Sequence, residues 1–250
     1  MTLAVGIDIG GTGIKGAIVN VETGELASDR LKISTPEGGS PKDIVATVVK
    51  IVNELGIADD PAIPVGVCFP AVILHGRTMS AANVSRKWIG LEAEVLFEQQ
   101  LGRDIHFVND ADAAGFAEVR YGAAAGRPGL VIVTTLGTGI GSALIYNGVL
   151  IPNSELGHLE LDGADAEGRA ANSARESEGL SWKAWAARLQ RYYAHLEVLF
   201  SPDLIIVGGG VSKNHEEFLP LLELRTPIVP AVLRNNAGIM GAAALAVRDV

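Results

Sequence analysis

Asn109 and Asp110 stand side by side at the end of an apolar run, residues 105–108. A carboxylate there can take the proton of a substrate hydroxyl, and the amide beside it can hold a neighbouring hydroxyl. The same residue types also cap helices. The helical pattern that follows makes Asp112 the expected cap and Asp110 the expected base, because open α/β sheets keep their sites at the C-terminal ends of strands. Glu155-Leu156-Gly157-His158 offers a second polar pair. Glu155 and His158 could grip sugar hydroxyls or share a metal, although a lone histidine is often structural. Asn83, in the polar loop before Trp88, is a weaker hydroxyl binder, and Trp88 itself reads as core.

Three glycine clusters supply the other chemistry: Gly10-Gly11-Thr12-Gly13, Gly137-Thr138-Gly139-Ile140-Gly141 and Gly208-Gly209-Gly210. A turn of small residues presents consecutive backbone N–H groups, which form a nest for phosphate. Phosphate contacts are therefore expected from Asp8, Gly10, Gly11, Thr12, Gly13, Ile14 and Lys15. They are also expected from Gly137, Thr138 and Gly139, and from Gly208, Gly209 and Gly210 in a strand-to-glycine-to-helix step. Asp8 suits a water-bridged Mg²⁺, which prefers oxygen ligands and keeps its waters. Gly11 to Gly16 spells G-x-G-x-x-G, but a dinucleotide fingerprint needs a helix after its glycines. Here the β-branched residues 17–21 follow, and no Walker A sequence occurs in the chain.

The elements that must position these groups alternate between strand and helix. Apolar runs at 3–9, 130–135 and 204–207 read as buried strands. Ser40 as N-cap and Pro41 at the first helical position open a helix with Ile44, Val45, Val48, Ile51, Val52 and Leu55 on one face. A longer helix covers 182–200 and stops before Ser201-Pro202, and a small-residue helix covers 237–247, expected to pack on the second half or to return to the first. Asn147-Gly148 closes a hairpin. Residues 5–19 (VGIDIGGTGIKGAIV) and 131–145 (VIVTTLGTGIGSALI) lie 126 positions apart and share Gly-Thr-Gly-Ile between apolar flanks. This reads as a duplicated α/β fold with lobes at 1–125 and 126–250 around a central cleft.

Composition narrows the partners. The 250 residues are 48% hydrophobic, with 20 Lys plus Arg against 29 Asp plus Glu and a net charge of -9. Disorder and a globally basic nucleic-acid binder are excluded. The single cysteine, Cys68, excludes an internal disulfide framework and a multi-cysteine zinc site. No apolar run approaches the roughly 18 residues of a membrane span, and no basic segment precedes Asp8. A cytoplasmic protein with neither nucleic acid nor membrane as partner is expected.

Taken in order, Asp8-Ile9-Gly10-Gly11-Thr12, Asn109-Asp110, Leu136-Gly137-Thr138-Gly139-Ile140-Gly141, Glu155-Leu156-Gly157-His158 and Gly208-Gly209-Gly210 resemble the ROK family of sugar kinases, within the actin/hexokinase-like fold. Asn109 through Gly115, Leu150-Ile151-Pro152-Asn153 and the stretch from Arg225 to Ala231 resemble its polyphosphate-using branch over nearly the whole chain. The resemblance implies glucose held by Asn83, Asn109, Asp110, Glu155 and His158, with Asp110 as general base. It implies inorganic polyphosphate and ATP as donors, Mg²⁺ as cofactor, no zinc, and a homodimer. Typical members carry a cysteine-rich zinc motif after Glu-x-Gly-His. Residues 159–174 contain no cysteine, which leaves open the residue that replaces the sugar-binding glutamate lost with that motif, with Glu160 and Glu167 as candidates. The alternatives are an ATP-dependent kinase for mannose, fructose or another hexose, and a sugar-sensing regulator.

Overall fold

A computed structural model describes residues 1–58 and 60–247 of the chain. The chain divides into two compact units, Met1–Ala117 together with the segment from Asn235, and Glu118–Arg234. The first contains β1 (Leu3–Ile9), β2 (Ile14–Asn20), β3 (Leu31–Ile33), α1 (Pro41–Glu54), β4 (Val65–Phe69), the short β5 (Ile73–Leu74) and β6 (Arg77–Thr78), α2 (Ala93–Leu101) and β7 (His106–Asn109). Helix α3 (Asp110–Tyr121) leads into the second unit. There follow β8 (Leu130–Leu136), β9 (Ile140–Tyr146), β10 (Val149–Ile151), β11 (Glu160–Leu161), β12 (Ala164–Asp165), α4 (Glu167–Ala170), α5 (Asn172–Ser177), α6 (Trp182–Phe200), β13 (Leu204–Gly208) and β14 (Ile228–Pro230). Helix α7 (Ala237–Ala246) belongs to the first unit again.

The two large sheets have the same plan, β3-β2-β1-β4-β7 and β10-β9-β8-β13-β14. In each, an antiparallel glycine hairpin continues into parallel strands, the arrangement expected of a duplicated α/β fold. The hairpins differ by one residue. Ile9 pairs with Ile14 across four loop residues, whereas Leu136 pairs with Ile140 across three. Ser40 caps α1 by accepting the Asp43 N–H, and Ile44, Val45, Val48, Ile51 and Val52 are buried against the first sheet. Trp88 is fully buried and donates from Nε1 to the Gly39 carbonyl at 2.9 Å. In the second unit, α6 buries Trp185, Leu189, Tyr193 and Leu196 against the other sheet. Asn147 and Gly148 both have positive φ, 49° and 78°, as a two-residue hairpin requires.

One finding changes the sequence reading and another decides between two expected packings. The division falls inside α3, ahead of the glycine-rich loop that suggested 125/126, because Val119 already packs with Val131, Val133 and Ile206 of the second sheet. The small-residue α7 packs on the first unit, not the second. A β-carbon at Gly6 would lie 1.8 Å from the Ile239 carbonyl oxygen, one at Gly66 1.9 Å from that of Ala242, and one at Gly241 1.8 Å from that of Ala113. Bare glycine faces on β1 and β4 thus admit the helix backbone directly. No helix among the described residues is long and apolar enough to cross a membrane.

Gly66→Ala must push α7 off β4, and overpacking of this kind costs about 1–3 kcal/mol or more. The Tm should fall by roughly 2–4 °C for each kcal/mol lost. Gly168→Ala is the control, because nothing lies within 4 Å of the added carbon. Calorimetry showing equal Tm for the two variants would refute the close approach.

Candidate active site

In the first unit, three parallel strands end together. Asp8 pairs with Cys68, Cys68 with Val108, and Phe69 with Asn109, so Asp8 and the Asn109-Asp110 pair share one sheet edge. Across the hairpin Asp8 faces Lys15, whose Nζ lies 2.7 Å from Asp8 Oδ2. The Cys68 thiol lies 3.7 Å from both Asp8 Oδ1 and the Gly238 carbonyl oxygen. Burial, with the charges of Asp8 and Asp110 adding to it, pushes the Cys68 thiol well above its ordinary range, so it serves as an S–H donor.

Asn109 is buried and donates from Nδ2 to the Ala71 carbonyl at 2.9 Å, while its Oδ1 accepts the Asp112 N–H at 3.0 Å. The helix cap is therefore Asn109. Asp112, expected in that role, is instead fully buried. An amide side chain carries two N–H groups, so Asn109 retains one beyond its Ala71 bond. Asp110, the first residue of α3, is half-buried and accepts the Ala111 N–H at 2.8 Å through Oδ1. Asn83 has a φ of 59° and lies against the first turn, its Cβ 3.0 Å from where a β-carbon on Gly11 would be.

In both glycine turns one N–H is used to close the loop and the others are left unpaired. Gly10 N–H closes on the Gly13 carbonyl at 3.1 Å, and Gly137 N–H on that of Gly139 at 2.9 Å. One hydroxyl residue then ties back the carbonyls of each turn. Thr35 donates from Oγ1 to Gly10 O at 2.5 Å and from its backbone to Thr12 O at 3.5 Å. Ser173, in α5, donates from Oγ to Thr138 O at 2.6 Å and from its backbone to Gly137 O at 3.1 Å. The N–H groups of Gly11, Thr12 and Gly13, and of Thr138 and Gly139, have no acceptor among the described residues. Unpaired N–H groups in a tight turn are what an anion nest requires. Thr35 and Ser173 are not singled out by the sequence, since neither residue type nor spacing marks them.

The Glu155–His158 segment is fastened to the second turn. A β-carbon on Gly157 would lie 2.4 Å from the Ile140 carbonyl oxygen, and the buried Ser142 Oγ accepts the Leu156 N–H at 2.9 Å while donating to the Ser154 carbonyl. His158 Nδ1 is 2.8 Å from Asp165 Oδ2. Glu167 Oε2 accepts the Ile140 N–H at 2.7 Å and would sit 2.3 Å from a β-carbon on Gly139. Partial burial raises the Glu155 carboxyl above its usual range, with His158 opposing and Glu167 adding to the shift. Of the two glutamates weighed in this region, Glu167 joins the cluster, whereas Glu160 is exposed on β11. Gly208 ends β13 beside Thr135, and Gly209, at a φ of 82°, backs directly onto Leu136. The regular helix expected after it is absent. A 3-10 segment, Gly210–Glu217, follows and is broken at Asn214.

Residues 4–174 match the model of the ROK family, and the chain belongs to that family. Its α/β architecture is the actin/hexokinase-like fold of ROK sugar kinases. In particular, it is similar to the polyphosphate glucokinase of Mycobacterium tuberculosis (strain ATCC 25618 / H37Rv), at 48% identity over 98% of this chain and 91% of that one. Among solved structures it is similar to the inorganic polyphosphate/ATP-glucomannokinase from Arthrobacter sp. strain KM, at 53% identity, 97% coverage of both chains and a TM-score of 0.89. A ROK family glucokinase from Streptomyces griseus, solved with glucose and AMPPNP, superposes with a TM-score of 0.80 at 25% identity, covering 98% of this chain and 99% of that one.

The Asp165 hydrogen bond raises the His158 pKa above 6.5; burial opposes it, and the charges of Glu167, Asp165 and Glu155 add to it. The pair's contribution to stability is therefore full below pH 6.5 and fades as pH rises through the folded value. Both side chains are about half exposed, so the contribution is small. An NMR titration should place His158 above 6.5 and find it lower in Asp165→Asn; an unmoved midpoint would show that Asp165 does not hold the imidazolium.

Proposed function

We propose that this chain is a glucose kinase that transfers the terminal phosphoryl group of inorganic polyphosphate to the sugar 6-hydroxyl and accepts ATP as a second donor. The observation that carries this reading is the full-length likeness to the mycobacterial polyphosphate glucokinase and the Arthrobacter glucomannokinase. The site residues support it: unpaired N–H groups suit phosphate, and Asn109, Glu155 and His158 offer donors and acceptors for sugar hydroxyls, with Asn83 as a further one. Glu167 is proposed to replace the glutamate lost with the zinc motif, since it shares the surroundings of Glu155 and His158.

In this mechanism Asp110 accepts the 6-hydroxyl proton as that oxygen bonds to the terminal phosphorus. The bond from that phosphorus to the bridging oxygen breaks, leaving glucose 6-phosphate and a donor one phosphate shorter. Alignment and charge neutralisation supply most of the acceleration in such transfers. The hairpin N–H groups of Gly11, Thr12, Gly13, Thr138 and Gly139 are proposed to hold donor oxygens, as are Gly208, Gly209 and Gly210 after β13.

A divalent cation belongs to this chemistry, and Mg²⁺ is the ion we propose. The residues fit it in one way. Lys15 and Cys68 engage the two Asp8 oxygens, and no three ligating side chains are grouped for a metal among the described residues. Asp8 is the residue that would hold the ion, by way of water, because Mg²⁺ prefers oxygen ligands and keeps its waters. When bound, the ion neutralises charge on the transferring group. A cytoplasmic homodimer is the proposed setting, and sedimentation tests the assembly.

Glucose 6-phosphate should form with long-chain polyphosphate and, separately, with ATP. Turnover with ATP and none with polyphosphate would reject the donor assignment. Asp110→Asn keeps size and one acceptor but cannot take the proton, so kcat should fall by about 10²- to 10⁴-fold with glucose binding retained. More than a tenth of wild-type kcat would return Asp110 to a capping or sugar-holding role.

A further inference from the structure

The duplicated turns carry opposite charges at equivalent positions. Gly13 and Gly139 lie 126 residues apart and each closes its hairpin loop. Over Gly139 lies the Glu167 carboxylate, which takes the Ile140 N–H. Over Gly13 lies Lys32, whose Cε would be 2.9 Å from a β-carbon placed there. Lys32 stands directly opposite Lys15 in the β2–β3 ladder. Like charges in that relation repel, and the strain is met on one side only, because Asp8 pairs with Lys15. Lys32 is exposed and has no ion-pair partner among the described residues.

We infer that Lys32 is a donor-phosphate contact, and that the first turn, with its three unpaired N–H groups and this cation, holds a polyanionic donor more firmly than the second. The second turn keeps the Thr138 and Gly139 N–H groups for donor oxygens, but the Glu167 carboxylate on its Ile140 N–H makes it the weaker of the two holds on a phosphate chain. The inference rests on the phosphoryl-transfer reading above and adds to it a residue and a polarity between the turns. Polyphosphate gains from every cation along its path, whereas ATP also has a base and a ribose by which to be held. Loss of the Lys32 charge therefore weighs more on polyphosphate.

The test compares Lys32→Gln, which keeps the chain and loses the charge, with Lys32→Arg, which keeps the charge. For Lys32→Gln the polyphosphate KM should rise about tenfold, the ATP KM less, and the loss should fall on donor KM rather than on kcat or glucose KM. The increase of polyphosphate KM with ionic strength should also become shallower, since one screened charge is gone. Lys32→Arg should restore the donor KM to within about threefold of wild type. An unchanged donor KM in Lys32→Gln, or a parallel rise in glucose KM that Lys32→Arg fails to relieve, would overturn the assignment. Wild-type turnover reads the donor chemistry, and the variant-to-wild-type ratio reads Lys32. If polyphosphate gives no turnover, the same ratio taken with ATP decides the role of Lys32.

Discussion

A glycine hairpin receives an anion only if its own carbonyl oxygens are held away from the ligand. In this chain that requirement is met twice by the same device, a hydroxyl residue that donates from both side chain and backbone. Thr35 does so for Gly10 and Thr12, and Ser173 for Gly137 and Thr138. Each tie comes from outside the hairpin, so the turn's geometry depends on the surrounding fold. Ser173 is placed by α5, and Thr35 follows directly on β3, the strand that also carries Lys32.

The sheet plan is duplicated but the dressing of the turns is not. Both sheets run through hairpin, inner strand and parallel neighbours in the same order. At the first turn the side chains brought in are Lys15, Lys32 and Asn83; at the second they are Glu167 and, through Gly157, the Glu155–His158 segment. The repeated hairpins are thus similar in backbone, and the segments outside them bring different side chains to each. The one-residue difference in loop length adds to this contrast, since it leaves the second turn with fewer unpaired N–H groups among the described residues.

Much of this was legible in the chain itself wherever the signal was local. The apolar run at Leu3–Ile9 became a strand with those bounds, the Ser40-Pro41 start became α1, and Trp182–Phe200 became α6. The repeated Gly-Thr-Gly-Ile marked both hairpins. What escaped depended on distant partners. Asn109 takes the cap that composition offered to Asp112, because its side chain is already turned inward by the Ala71 carbonyl. Lys32, Thr35 and Ser173 act through residues at least 17 positions away, as Lys15↔Lys32 and the other partners show, and no short pattern encodes such relations. The docking of α7 did have a signal. Gly6 and Gly66 sit inside apolar strands, where glycine often means that another backbone comes close.

That close approach also explains the state of Asp8. With Gly6 and Gly66 bare, α7 lies low enough on the sheet for Gly238, in its first turn, to meet the Asp8 carboxylate; a β-carbon there would be 3.0 Å from Asp8 Cγ. The carboxylate then has Lys15 on one oxygen, the Cys68 thiol on the other, and the start of α7 beside it. These contacts lie within one unit and need no ligand to form. A carboxylate fixed in this way undergoes little reorganisation when a charged donor arrives, and such preorganisation is what makes electrostatic stabilisation effective in phosphoryl transfer. Glycines buried in the strands of the first sheet thus help to hold Asp8, through a helix that begins more than two hundred residues along the chain from it.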